Sequence, residues 1–173
     1  MIMRRGQEQL LLPVNPLFMW ASLAAALLLD MLPLGRNAWA PDCLALAIVF
    51  WGVHQPARIG IGVAFAFGLL MDVHQSALLG QHALSYTTLS YLAITIHRRL
   101  LWYPLLSQAA QVLPLFLLSH LIELGIRMIG GAVFPGWELL IAPLIEAALW
   151  PLATVLLLAP QRRTPEPDAN RPL

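Results

Sequence analysis

The sequence predicts an all-α membrane protein, a compact bundle of six transmembrane helices. Two observations carry that expectation. Of 173 residues, 59% are hydrophobic and 11% charged, where a soluble domain carries about 25% charge. The apolar residues also gather into runs near membrane-spanning length, about 20 residues, with only brief connections between them. Nearly all of the sequence is expected to cross the bilayer, and no nucleic-acid partner is expected.

The first expected span covers residues 17–34. Arg4 and Arg5 ahead of an apolar stretch resemble a secretory signal, and Ala38-Trp39-Ala40 offers a cleavage-like pattern. The run exceeds the usual signal core of about 7–15 residues, and Pro41 would follow the cut, so a retained anchor is expected. Further spans are expected at 41–54, 59–79, 82–96, 103–129 and 138–159. The second and fourth are short for a core of about 30 Å and must borrow flanking residues or sit in thinned bilayer. Pro114 interrupts the fifth span, and Pro143 and Pro151 the sixth; each removes a backbone hydrogen bond and bends its helix. Residues 161–173 are Pro-rich and polar, so a disordered cytoplasmic tail is expected after a single membrane domain, 1–160.

Arginine placement orients the bundle, since cytoplasmic loops carry the excess of basic residues. With six spans and an inside amino end, the cytoplasmic face holds Arg4, Arg5, Arg58, Arg98, Arg99, Arg162, Arg163 and Arg171. The outer face keeps Arg36 and Arg127. Trp39 and Trp137 then fall at the outer boundary, and Trp20, Trp51 and Trp102 near the inner one, as belt residues do. The net charge of +1 says little beside this asymmetry. The lone Cys43 excludes an internal disulfide.

The third span carries a distinctive row. Gly60, Ala64, Gly68, Asp72, Ser76 and Gly80 recur every fourth position, and small side chains at that spacing let another backbone come close. The row drifts by about 40° per step, which suits a crossing helix better than a parallel one. It is expected to be a packing ridge or a seat for a partner helix. Arg58, Arg98 and Arg99 form a cytoplasmic rim that marks topology or meets an acidic protein or anionic lipid.

Four acids fall in the outer half of the membrane. At about 1.5 Å per residue, Asp72, Glu146, Asp30 and Glu123 lie roughly 12, 13, 7 and 10 Å below the outer ends of their spans. Charge at mid-bilayer costs roughly 2.5–3.5 kcal/mol on insertion scales, so these groups are expected to face protein or a wet cavity. His120 and His74 share or overlie this depth. Glu123 and Arg127, four apart on one helix, are placed to pair, with His120 on the same face. This intramembrane polar layer of Asp30, His120, Glu123 and Glu146 reads as an outward-facing pocket, a docking layer, or internal bonds that lock the bundle.

Catalysis is not expected. Ser119 and His120 are adjacent, and neighbours on a helix point about 100° apart. Neither a G-x-S-x-G nor an H-E-x-x-H pattern is present. Asp72 and His74 offer two metal ligands, with no convincing third or fourth. No catalytic residue, metal or cofactor is assigned.

In residues 41–100 the chain resembles MreD, the rod shape-determining membrane protein family of bacteria. The match runs through Pro41-Asp42 opening a short span that ends Phe50-Trp51, then Pro56-Ala57-Arg58-Ile59-Gly60. It continues through Gly68-Leu69-Leu70-x-Asp72, Leu79-Gly80 and the His97-Arg98-Arg99 junction. The resemblance implies a non-catalytic scaffold of the cell-elongation complex in the inner membrane, acting in lateral peptidoglycan synthesis through partner binding. The partners it implies are MreC and, in the wider complex, RodA, a penicillin-binding transpeptidase and MreB; pairing with a second copy stays open. It also implies a six-helix fold similar to the S components of energy-coupling-factor transporters. A small-molecule binding or transporter subunit is therefore the alternative function, with Ala21-xxx-Ala25 as a close-contact pattern of that kind.

Overall fold

The computed structural model describes residues 14–32 and 39–161. Among them are six α-helices and no strand: α1 Pro16–Met31, α2 Cys43–His54, α3 Ile61–Gln75, α4 Gln81–Leu101, α5 Leu105–Ile129 and α6 Ile141–Leu158. Short 3-10 turns at Trp137–Leu140 and Ala159–Gln161 flank α6. Two stretches, Leu105–Ile129 and Trp137–Gln161, are each long and apolar enough to cross a membrane alone.

The centre is α2. Its twelve residues are apolar all round, which is the pattern of a helix buried on every side, and Leu44 to Val53 are buried without interruption. It packs against α1, α4 and α6, and α4 in turn packs on α3 and α5. Phe50, Trp51, Phe116 and Trp150 fill the core between them. The two buried indoles are satisfied: Trp51 Nε1 donates to Ser22 Oγ at 2.8 Å and Trp150 Nε1 to Gln108 Oε1 at 3.1 Å. The outward faces are apolar instead of charged, with Leu17, Leu106 and Val73 exposed.

The ends of α3 and α4 differ most from the sequence expectation. α3 stops at Gln75 because Ser76 takes a left-handed conformation (φ 51°) and Ala77 N–H turns back to the Asp72 carbonyl at 3.0 Å. Gly80 therefore lies beyond α3 and becomes the N-cap of α4, at φ 101°, where a side chain would be strained. α4 continues to Leu101, past the expected end at residue 96, so Arg98 and Arg99 lie in its last turn. Cations there complement the negative end of the helix dipole. Pro114 and Pro151 are inside helices as expected. Pro143 sits in the first turn of α6, where the proline costs no helical bond. Arg4, Arg5, Arg36, Arg162, Arg163, Arg171 and the tail beyond Gln161 lie outside the described residues.

Candidate functional site

The N-termini of α2 and α4 meet at one end of the bundle, where Tyr86 Oη donates to Asp42 Oδ2 at 2.5 Å. A helix begins with N–H groups that have no intrahelical acceptor, and here they lie in a partly buried setting. The acids answer that need. At α2, Asp30 accepts from Cys43 N at 3.1 Å and Leu44 N at 2.7 Å. Asp42 accepts from Ala45 N at 2.7 Å, and Glu146 accepts from Asp42 N at 2.9 Å. Four consecutive backbone donors, residues 42 to 45, thus each meet a carboxylate.

α4 is treated in the same way. Its N-cap is Gly80, which has no side chain to offer, and Asp72 of the preceding helix takes the role. Asp72 accepts from Gly80 N at 2.8 Å, His82 N at 2.7 Å and Ala83 N at 3.4 Å. It also meets His82 Nδ1 at 2.8 Å. In both hairpins an Asp on the odd-numbered helix caps the helix that follows. Anions at helix N-termini are stabilising, because each such terminus carries about half a positive charge.

Two further links cross to α5 and α6. His120 Nε2 lies 2.9 Å from Glu146 Oε1, and His82 Nε2 lies 3.9 Å from Glu123 Oε2. The hydroxyls of Ser85 and Ser119 hydrogen-bond to each other between α4 and α5. The expected Glu123–Arg127 pair is replaced by partners from another helix. Arg127 Nε and Nη2 donate to the Gln81 amide oxygen at 2.9 and 3.1 Å, and Glu123 faces His82 instead. The polar layer Asp30, His120, Glu123 and Glu146 is therefore brought together, and it extends to Asp72.

Three participants were missed by reading the sequence. His82, the first residue of the expected fourth span, is buried between Asp72 and Glu123. Asp42 precedes an apolar run at the N-cap position, a signal that was available and unused. Tyr86 gave no local signal.

Beside this network lies a cavity of about 1140 Å³. Its wall includes Asp30, His74, His82, His120, Glu123 and Arg127 together with Leu29, Met71 and Leu139. Among the described residues no three His, Cys, Asp or Glu side chains are arranged to hold a metal ion.

The row on the third span divides. Ala64, Gly68 and Asp72 are buried on α3 facing α4, while Gly60 is the N-cap of α3 and Gly80 that of α4. A Cβ built on Gly68 would stand 2.6 Å from Ala83 N and 2.7 Å from the His82 carbonyl carbon. Around Gly60 and Gly80 no atom lies within 4 Å of that position. The close approach is thus at Gly68 alone of the row's glycines. Arg58, Arg98 and Arg99 are exposed at the end of the bundle opposite the acids, with Arg58 Nη1 donating to the Val14 carbonyl at 3.2 Å.

The family model for rod shape-determining protein MreD matches residues 13–159. Rod shape-determining protein MreD of Haemophilus influenzae is 26% identical over 129 residues, 72% of this chain and 77% of that protein. No solved structure matches. With its helical fold and a match over nearly its whole length, the chain belongs to the MreD family of rod shape-determining proteins.

Proposed function

We propose that this protein is a non-catalytic scaffold of the cell-elongation machinery, threaded six times through the bacterial inner membrane with both termini in the cytoplasm. The match over residues 13–159 carries this reading. In it the six helices form a bundle of the kind seen in energy-coupling-factor S components. Its partner is MreC, and through it the wider assembly with RodA, a penicillin-binding transpeptidase and MreB that directs lateral peptidoglycan synthesis. The rim of Arg58, Arg98 and Arg99 meets anionic headgroups of the inner leaflet.

Two features support a rigid hub. The acids hold helix ends in place across five helices, and the described connections are too short to form binding domains. Partners must then grip the outward helix faces. The outward side of α3 carries Gly62 and Ala66, which with Trp20 of α1 line an apolar groove of about 280 Å³. Small residues four apart let a second helix approach closely, so this groove, and not the buried row at Gly68, is the proposed seat of the MreC helix.

Gly62→Leu tests it, because no atom lies within 4 Å of a Cβ at that position and the fold accommodates the change. Co-purification with MreC should fall at least tenfold while the protein remains at wild-type abundance. Undiminished MreC recovery would remove the groove from consideration. Orientation has its own check. A phosphatase fused to the carboxyl terminus should stay inactive, and activity there would place that end in the periplasm and refute the six-pass reading.

A further inference from the structure

Among the described residues, Arg127 in the wall of the cavity beside the acid network is a cation with no carboxylate partner. Among the described residues, the ion pairs closer than 4.0 Å are His82–Asp72, His82–Glu123 and His120–Glu146. Arg127 is in none of them. Its Nε and one Nη2 hydrogen reach the neutral amide of Gln81, which leaves three of the five donors on a guanidinium for another acceptor. Arg127 is half-buried in the cavity wall.

The carboxylates around it do not make the cavity a cation site. Both oxygens of Asp30 accept from the first N–H groups of α2, and those of Asp42 accept from Ala45 N and Tyr86 Oη. The positive end of α2 thus faces these two acids. Glu123 has His82 at 3.9 Å. The wall also carries the apolar side chains of Leu29, Leu32, Met71, Leu78 and Leu139, beside the polar His74, Gln75 and Gln81. At about 1140 Å³ the cavity is of a size that admits a ligand larger than a bare ion.

We propose that this cavity binds an amphiphile with a phosphate head, the head on the Arg127 fork and the apolar part along Leu29, Met71 and Leu139. A guanidinium presents paired N–H donors that match phosphate oxygens two at a time. The inference is independent of the scaffold reading, since it concerns the opposite side of α3 from Gly62. Because phosphate also occurs as a free ion, the test separates the two sources.

The full chain, purified in a neutral maltoside detergent, is unfolded by heat with decyl phosphate, inorganic phosphate or decyltrimethylammonium added. Decyl phosphate should raise the melting temperature saturably by several degrees, and the other two should leave it unmoved. An equal shift from inorganic phosphate would reduce the site to a free-anion site and overturn the amphiphile. An equal shift from the ammonium compound would overturn the role of charge.

Arg127→Gln should weaken decyl phosphate binding at least tenfold, and Tyr103→Phe, at an exposed residue at the opposite end of the bundle, should not. Equal losses in the two variants, or none at Arg127, would refute the site. Should Arg127→Gln not yield folded protein, Ala132→Trp takes its place. Ala132 is an exposed loop residue lining the cavity, and an indole there should also cost at least tenfold in affinity. Unchanged binding in that variant would refute the proposal equally.

Discussion

Gly68→Leu should leave almost no folded protein in the membrane, and cells depending on it should lose their rod shape. The position of any Cβ at residue 68 is already occupied by main chain of α4, 2.6 Å from Ala83 N and 2.7 Å from the His82 carbonyl carbon. Neither neighbour is a flexible side chain that can rotate away. The helices must separate, and separation pulls Asp72 from the N–H groups of residues 80, 82 and 83. Overpacking a core costs about 1–3 kcal/mol even where side chains give way, and here backbone must move. Against a total stability of about 5–15 kcal/mol, a loss above about 3 kcal/mol is expected. Gly68→Ala, with one methyl group, should lose about 2 kcal/mol. Detergent-titrated unfolding measures both, and wild-type abundance with normal cell shape for Gly68→Leu would contradict the close crossing. The contrast with Gly62→Leu is the sharper reading: the same substitution six residues earlier should spare the fold and strike the partner.

Asp72→Ala is expected to destabilise the protein by about 3 kcal/mol. It removes the acceptor for three backbone N–H groups and for His82 Nδ1. A buried donor left unpaired costs about 1–3 kcal/mol, and water has no ready path to a residue that is 1% exposed. Asp72→Asn retains one carbonyl oxygen but turns an amide toward donors, so about 2 kcal/mol is expected. Glu138→Gln is the matched control. Glu138 is exposed at the start of the 3-10 turn before α6, and surface changes usually stay within about 0.5 kcal/mol. MreC recovery should follow stability, falling for Asp72→Asn and holding for Glu138→Gln. Equal effects of the two substitutions on unfolding would show that Asp72 is no cap.

Why the acids stand where they do is now a question of helix ends. α2 has twelve residues and spans only about 18 Å, so its first N–H groups open inside the protein. Where water is scarce, each unmet backbone group costs several kcal/mol. Asp30, Asp42 and Glu146 supply acceptors from three directions, and Asp72 repeats the solution for α4.

By itself the sequence determined the helical class, the number of apolar segments and the presence of acids that no local basic residue could neutralise. Those follow from composition and from periodicities of a few residues, which are local properties. Tertiary structure decided which way each group turned. The partners of Asp30 and Asp72 are main-chain N–H groups, which every residue but proline possesses, so no side-chain pattern could announce them. Gly80 continued the four-residue row on paper but left it in space, because Ser76 ended α3 with a left-handed turn. Glu123 and Arg127 had the right spacing to pair, yet His82 and Gln81 reached them from α4. Contacts between helices are set by how their faces meet, and that geometry is fixed only when all of the helices pack at once.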